Sequence, residues 1–283
     1  MNTLTLPAPA KLNLFLHITG RRPDGYHDLQ TVFQLLDYGD ELTFTLADDD
    51  LAFSCSRPDL ESPDNLVMRA ARLLWQETGS GRGTRIHLDK RLPAGGGVGG
   101  GSSDAATTLV ALNRLWECGL DTRALASLGL SLGADVPVFV HGHSAWAEGL
   151  GENLQPIDLP DRWYLVLTPD CHVSTGVIFT HPQLTRDTRP LKIAGFPFSG
   201  SKNDCESLVS GLYPPIKKAL DWLAGYGESR LTGTGASVFA AFATEAEARQ
   251  VMARVPEQAP GKSSAFVARG VNVSPLQKAL GEA

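Results

Sequence analysis

The residues best placed to do chemistry are Leu92-Pro93-Ala94-Gly95-Gly96-Gly97-Val98-Gly99-Gly100-Gly101-Ser102-Ser103, where six of the seven positions from 95 to 101 are glycine. Glycine loses more backbone entropy on folding than any other residue, so such a cluster needs a reason. One reason is close approach of main-chain N–H groups to an anion, backed by the positive end of the following helix. The alternative, a flexible Gly/Ser linker, does not ordinarily lead straight into a helical apolar stripe such as Ala105, Leu109, Leu112 and Trp116. The loop is not a Walker A motif, because no Gly-Lys-Ser/Thr stands at the helix start. Nor is it a dinucleotide fingerprint, because no acidic residue ends a following strand. Having no lysine of its own, it needs a cation from elsewhere: magnesium carried by a nucleotide, or a lysine from a distant segment.

Lys11 and Asn13, two apart in a strand, share one face while Leu12 and Leu14 take the other, which fits a functional pair and an ordinary exposed strand face equally well. Asp135, between small and apolar residues ahead of Val138-Phe139-Val140, is expected to be partly buried and to need a partner. It could equally be a turn or helix cap. A Lys/Asp pair suits phosphoryl transfer, the carboxylate taking a hydroxyl proton and the lysine orienting it. Tyr26-His27 could stack on a planar ring, although ordinary packing explains them as well. His141 and His143 have no further ligand nearby and read as a surface turn. Leu231 to Ser237 is a second glycine-rich turn, either tight or closing over phosphates.

These residues must be held by identifiable elements. Strands are expected over Leu4–Phe15 with a second part over Leu12–Ile18, then Leu29–Leu36, Glu41–Leu46, Gly83–Leu88, Trp163–Thr168, Ser237–Phe242 and Ser264–Val271. Helices are expected from Asn65 to Thr78, near 105–117 and 121–131, opening at Ser174, and over Pro215–Leu223 and Glu245–Val255. Asp104 then falls in a first helical turn, where its charge suits the dipole. Gly133–Pro137 and Thr185–Gly200 read as loops. The alternation after Pro160 is that of an α+β sandwich.

The 283 residues suffice for one large or two ordinary domains, and 42% hydrophobic content permits a full core. A net charge of -6 argues against a general nucleic-acid binder. Cys55, Cys118, Cys171 and Cys205 are far apart and read as reduced thiols. No signal peptide or membrane span is visible, so a soluble cytoplasmic protein is expected.

Pro9-Ala10-Lys11-Leu12-Asn13, the loop from 93 to 103 and Leu231 to Ser237 resemble, in order, the three motifs of the GHMP kinase superfamily. Arg22-Pro23-Asp24-Gly25-Tyr26-His27, Gly133 to Phe139, and Ser199 to Cys205 with Asn203-Asp204 extend the likeness over essentially the whole chain. They resemble members acting on a cytidine diphosphate-linked polyol. The resemblance implies an α+β fold of two domains. An N-terminal ATP-binding domain would span 1–158 and a C-terminal ferredoxin-like α/β sandwich 159–283, with the active site in the cleft. It implies ATP as phosphoryl donor, with Mg2+ arriving on the nucleotide and no metal site built by the protein. Lys11 and Asp135 match the catalytic pair, Asp135 as base toward a hindered tertiary alcohol and Lys11 holding the geometry. Pro93, Ala94, Gly95, Gly96, Gly97, Val98, Gly99, Gly100, Gly101, Ser102 and Ser103 would cradle the phosphates, and Asn65 matches a position near the adenine. Tyr26, His27 and Phe179 match residues that hold the cytosine, and Asn13 and Thr175 would line the polar part of that site. The implied partners are small molecules, without nucleic acid or membrane, for a monomer or weak homodimer. Two competing readings stand beside this one. Another GHMP kinase, acting on mevalonate, homoserine or a sugar, would have no use for Tyr26-His27 as a stacking pair. A non-catalytic nucleotide sensor would not need both Lys11 and Asp135.

Overall fold

Two long strands organise the molecule. In the computed structural model, which describes residues 2–48, 50–80, 82–193 and 201–281, β1 (Thr3–Arg21) runs antiparallel to β2 (His27–Ala47). Each merges stretches that the sequence suggests are separate. The prolines that seemed to interrupt β1 are absorbed by register shifts, the first between Pro9 and Lys11. A residue without an N–H is tolerated at such a bulge. Opposite it, Gly39 passes so close that an added Cβ would stand 2.1 Å from the Ala8 carbonyl oxygen.

β2 is the hub of the sheet. Its second half pairs with β4 (Gly83–Asp89), which lies parallel to β3 (Leu51–Cys55). Its first half pairs with β5 (Ala145–Gly149), which pairs in turn with β6 (Asn153–Pro156). Gly270 and Val271 of β10 (Ser263–Val271) join β2 to the strands of the C-terminal half. Those are β7 (Trp163–Pro169), β9 (Val238–Phe242) and β8 (Ser229–Leu231), all antiparallel.

The helices of the first half are α1 (Leu66–Thr78), α2 (Gly100–Leu115), α3 (Thr122–Leu132) and α4 (Val136–His141), joined by the C-terminal α10 (Pro275–Leu280). Those of the second are α5 (Thr175–Thr180), α6 (Glu206–Leu212), α7 (Pro214–Ala224), α8 (Glu245–Met252) and α9 (Val255–Gln258). α2 begins at Gly100, earlier than its apolar stripe suggests, because Gly99 takes a left-handed conformation (φ 77°) and turns the chain into the helix. Asp104 therefore lies in the second turn and is buried, which corrects the first-turn placement. Part of the 133–137 stretch, read as loop, is helical: α4 starts at Val136, with Pro137 in the first turn, where no intrahelical N–H is needed. Of the stretch read as loop up to Gly200, residues 194–200 lie outside the described residues, as do Ser199 and Gly200 of the 199–205 motif. Asn203 and Asp204 are anchored on β1: the Leu16 carbonyl accepts from the Asp204 N–H (2.8 Å), and Asp204 Oδ2 accepts from the Ile18 N–H (2.8 Å).

Among the described residues three apolar clusters hold these layers. One joins α1, α2 and α4 to β1 and β2 through Leu6, Phe44, Leu74, Leu112 and Phe139. A second packs Leu165, Val209, Ile216 and Val238 with Leu16 and Ile18 of β1. The third places Leu12, Phe15 and Trp146 against Val166, Phe239 and Phe266, which makes the two halves continuous. Full burial of one such side chain contributes about 1.5–3 kcal/mol. Among the described residues no helix is long and apolar enough to cross a membrane.

Candidate active site

The bulge after Pro9 sets Lys11 on the inner face of β1, where its N–H donates to the Val98 carbonyl at 2.9 Å. Its side chain is only 2% exposed. A buried ammonium needs compensation, and Nζ has it: it donates to Asn13 Oδ1 at 2.6 Å, lies 3.0 Å from Asp135 Oδ2, and sits 5.3 Å from the centre of the Phe33 ring. Asp135 occupies the residue before α4 but makes no side-chain capping bond. Its carboxylate pairs with Lys11 and remains 34% exposed. The cap reading of Asp135 thus holds for its position and not for its side chain.

The glycine loop is wedged between Lys11 and the 231–237 turn. A Cβ on Gly99 would stand 3.0 Å from Lys11 Cγ and 2.8 Å from Phe139 Cζ. One on Gly97 (φ 77°) would stand 2.7 Å from the Thr232 oxygen and 2.8 Å from the Gly235 oxygen. The Ser237 N–H donates to the Gly96 carbonyl at 3.0 Å. The second glycine-rich turn therefore packs directly on the first. The first N–H groups of α2 have no acceptor within the helix. The bonding begins at Ser103, whose N–H donates to the Gly99 carbonyl at 2.8 Å. Ser103 is fully buried, so Ser102 is the more exposed of the two serines. Pro93, Ala94, Gly95 and Gly96 border a cleft of about 550 Å³, closed from the other half by Thr168, His172 and Lys262. Asn65 caps α1, its Oδ1 accepting from the Val67 N–H (2.9 Å) and its Nδ2 donating to the Leu60 carbonyl (3.0 Å). The neighbouring Leu66 lies against Gly101.

A second group of predicted residues lies along the same strands. The Asn13 N–H donates to Thr232 Oγ1 at 2.9 Å, and its Nδ2 to Thr31 Oγ1 at 3.0 Å. The Thr175 and Thr234 hydroxyls share a hydrogen bond of 2.9 Å, tying α5 to the 231–237 turn. The His27 and Phe179 rings stack at 5.4 Å and 26°. Arg186 Nε donates to His27 Nε2 at 2.9 Å, so this imidazole is neutral with its proton on Nδ1. Burial, with the positive charges of Arg186 and Arg21, lowers the His27 pKa below its ordinary value. Tyr26, next to it on the turn into β2, is 63% exposed. His141 and His143 are both exposed. Arg186 also donates to the Phe179 and His181 carbonyls (2.9 and 2.7 Å), so it builds this wall. Nothing in the sequence marked it, because it stands in an aperiodic stretch. Lys90 and Asp40, which meet behind the loop, were missed as well. The only signal was a lysine directly ahead of the loop in an otherwise surface-like Asp89-Lys90-Arg91 run.

Residues 65–143 match the GHMP kinases N terminal domain and residues 198–261 the GHMP kinases C terminal domain. The chain is 55% identical over 278 residues to 4-diphosphocytidyl-2-C-methyl-D-erythritol kinase of Pseudomonas savastanoi pv. phaseolicola, which covers 98% of this chain and 95% of that one. It is 54% identical over 289 residues to the protein of the same name from Marinobacter nauticus, with 100% and 99% covered. A crystal structure of 4-(cytidine 5'-diphospho)-2C-methyl-D-erythritol kinase matches with a TM-score of 0.82 at 32% identity, over 95% of this chain and 100% of that one. With such identity sustained from end to end, the chain belongs to the 4-diphosphocytidyl-2-C-methyl-D-erythritol kinase family of the GHMP kinases.

Proposed function

We propose that this kinase transfers the γ-phosphate of ATP to the 2-hydroxyl of 4-diphosphocytidyl-2-C-methyl-D-erythritol, giving the 2-phosphate and ADP in non-mevalonate isoprenoid precursor synthesis. The observation that carries the reading is the 3.0 Å pair of Lys11 and Asp135 beside the glycine loop. Asp135 accepts the hydroxyl proton, the freed oxygen bonds to the γ-phosphorus, and the bond to ADP breaks with its electrons on ADP. Lys11, fixed by Asn13, orients Asp135 and balances the charge that builds on the transferred group. The amides from Gly95 to Ser102 hold the phosphates, and Asn65 stands toward the adenine. Tyr26, His27 and Phe179 hold the cytosine, with Asn13 and Thr175 on its polar side. Magnesium carried by ATP would supply charge neutralisation on the triphosphate. The Ser102 hydroxyl, 3.7 Å from a Cβ placed on Gly133, is an oxygen donor at the helix start that could meet such an ion. The two functional halves of this scheme are 1–158 and 159–283.

The test is ADP release with Mg-ATP and a panel of acceptors: the cytidyl compound, free methylerythritol phosphate, mevalonate and homoserine. Turnover with the cytidyl compound alone is expected. Turnover with another alcohol would retain the kinase and remove the cytosine site.

A further inference from the structure

Behind the glycine loop lies a charged cluster that the scheme above does not use. Lys90 Nζ is 2.5 Å from Asp40 Oδ2 and 2.7 Å from Asp104 Oδ2, and none of the three side chains is more than 5% exposed. Asp40, on β2, also accepts through Oδ1 from the N–H groups of Arg91 (2.6 Å) and Leu92 (2.7 Å), which lead into the loop. Asp104, in the second turn of α2, keeps a buried Oδ1 with no hydrogen-bond partner. The cluster presses on the helix start: a Cβ on Gly100 would stand 3.0 Å from Lys90 Nζ and 3.5 Å from Asp40 Oδ2.

Two carboxylates facing one ammonium leave a negative charge without water unless a proton is bound. Both Asp40 oxygens are served, by three donors. Asp104, with one oxygen unserved, is where the proton goes. Burial pushes the Asp104 carboxyl up to about 7, the charge of Asp40 adds to this, and Lys90 opposes it. The other ionisable groups near the cluster are the Cys55 thiol and Glu61, which accepts from the Cys55 N–H.

We propose that Asp104 is a positioning residue that takes up a proton when the loop binds a nucleotide triphosphate. Protonated, it leaves the cluster neutral and the start of α2 fully open to an anion. Ionised, it sets a negative charge directly behind the amides that must hold the phosphates. The inference rests on the proposed reading of the loop as the phosphate site.

Calorimetric titration with Mg-ATP at about pH 7.5, in two buffers of different ionisation enthalpy, reads the protons bound per nucleotide. Wild type should take up a sizeable fraction of a proton and Asp104→Asn close to none, with both binding nucleotide. A rise of about one pKa unit in Asp104 on binding corresponds to about tenfold weaker affinity on the alkaline side, and Asp104→Asn should flatten that profile. A purely structural role would lower affinity at every pH alike. His172, whose Nδ1 lies 3.6 Å from a Cβ placed on Gly95, is a control position at the loop. His172→Gln should keep the uptake. Equal uptake in wild type and Asp104→Asn, or its loss in His172→Gln, would overturn the proposal. If Asp104→Asn does not fold, Asp104→Ser removes the same proton site and is read by the same outcomes. A wild-type protein that binds no Mg-ATP, by calorimetry or dialysis, would overturn the loop reading and this inference with it.

Discussion

Lys11 is unusual in being an almost fully buried cation whose two polar partners are both candidates for chemistry. Removing either partner should therefore separate chemistry from stability. Asp135→Asn should lower turnover about 10²–10⁴-fold, the range for a positioned base, while Mg-ATP affinity stays near that of wild type. Steady-state rates and nucleotide titration check both halves of that statement. Asp104 makes a different prediction, about stability. Its folded pKa, about 7, lies above its ordinary 3.8. Between those two values the unfolded chain has given up the proton and the folded chain keeps it, so stability falls as pH rises through this window and levels off above it. Asp104→Asn lacks this loss. The melting temperature of Asp104→Asn relative to wild type should climb from about pH 4 to about pH 7, on top of a constant offset from the altered Lys90 contact. A difference that does not change with pH would contradict it.

At the scale of the element, the two glycine-rich segments are one device. Gly97 cannot carry a side chain, because the carbonyls of Thr232 and Gly235 occupy the space and its φ of 77° disfavours a Cβ as well. Gly97→Ala should destabilise by about 1–3 kcal/mol from backbone strain alone, and more from displacing the 231–237 turn. Thermal denaturation with and without Mg-ATP should show a lower melting temperature and a smaller nucleotide-induced shift. A variant that melts and responds like wild type would show that the contact between the turns is not needed. The sequence made both glycine runs legible, because clustered glycine is costly without a use. Their mutual packing was not legible, since it joins residues more than a hundred positions apart. The same holds for α2. Its apolar stripe marked the body of the helix, but its start depends on the left-handed Gly99, which periodicity does not register.

Across the whole molecule, β1 serves every core, with Leu6 in the first cluster, Leu12 and Phe15 in the third, and Leu16 and Ile18 in the second. It thereby holds Lys11 and Asn13 at the seam between the halves. Leu16→Ala, which empties a buried site in the second cluster, should cost about 2–5 kcal/mol. It should also loosen the 202–204 segment that pairs with Leu16, and with it the 231–237 turn that Asn203 holds, so the KM for ATP should rise. Denaturant titration and steady-state kinetics check the two effects. The α+β class was legible in the sequence, whereas spacing alone left Lys11 and Asp135 open and only the motif resemblance singled them out. The wall around His27 was not legible, because Arg186 reaches it from an aperiodic stretch. Likewise, the buried cluster behind the loop joins β2, the residue after β4, and α2, none of which betrays the others in sequence.

The Lys11–Asp135 pair is expected to drive phosphoryl transfer to the cytidyl substrate. The direct measurement is 31P NMR of a reaction containing the protein, Mg-ATP and 4-diphosphocytidyl-2-C-methyl-D-erythritol, run in parallel with Asp135→Asn. A new phosphomonoester resonance growing with ADP in wild type, and slowed about 10²–10⁴-fold in the variant, is the predicted result. Equal rates in the two proteins, or ADP without a new phosphomonoester, would contradict it.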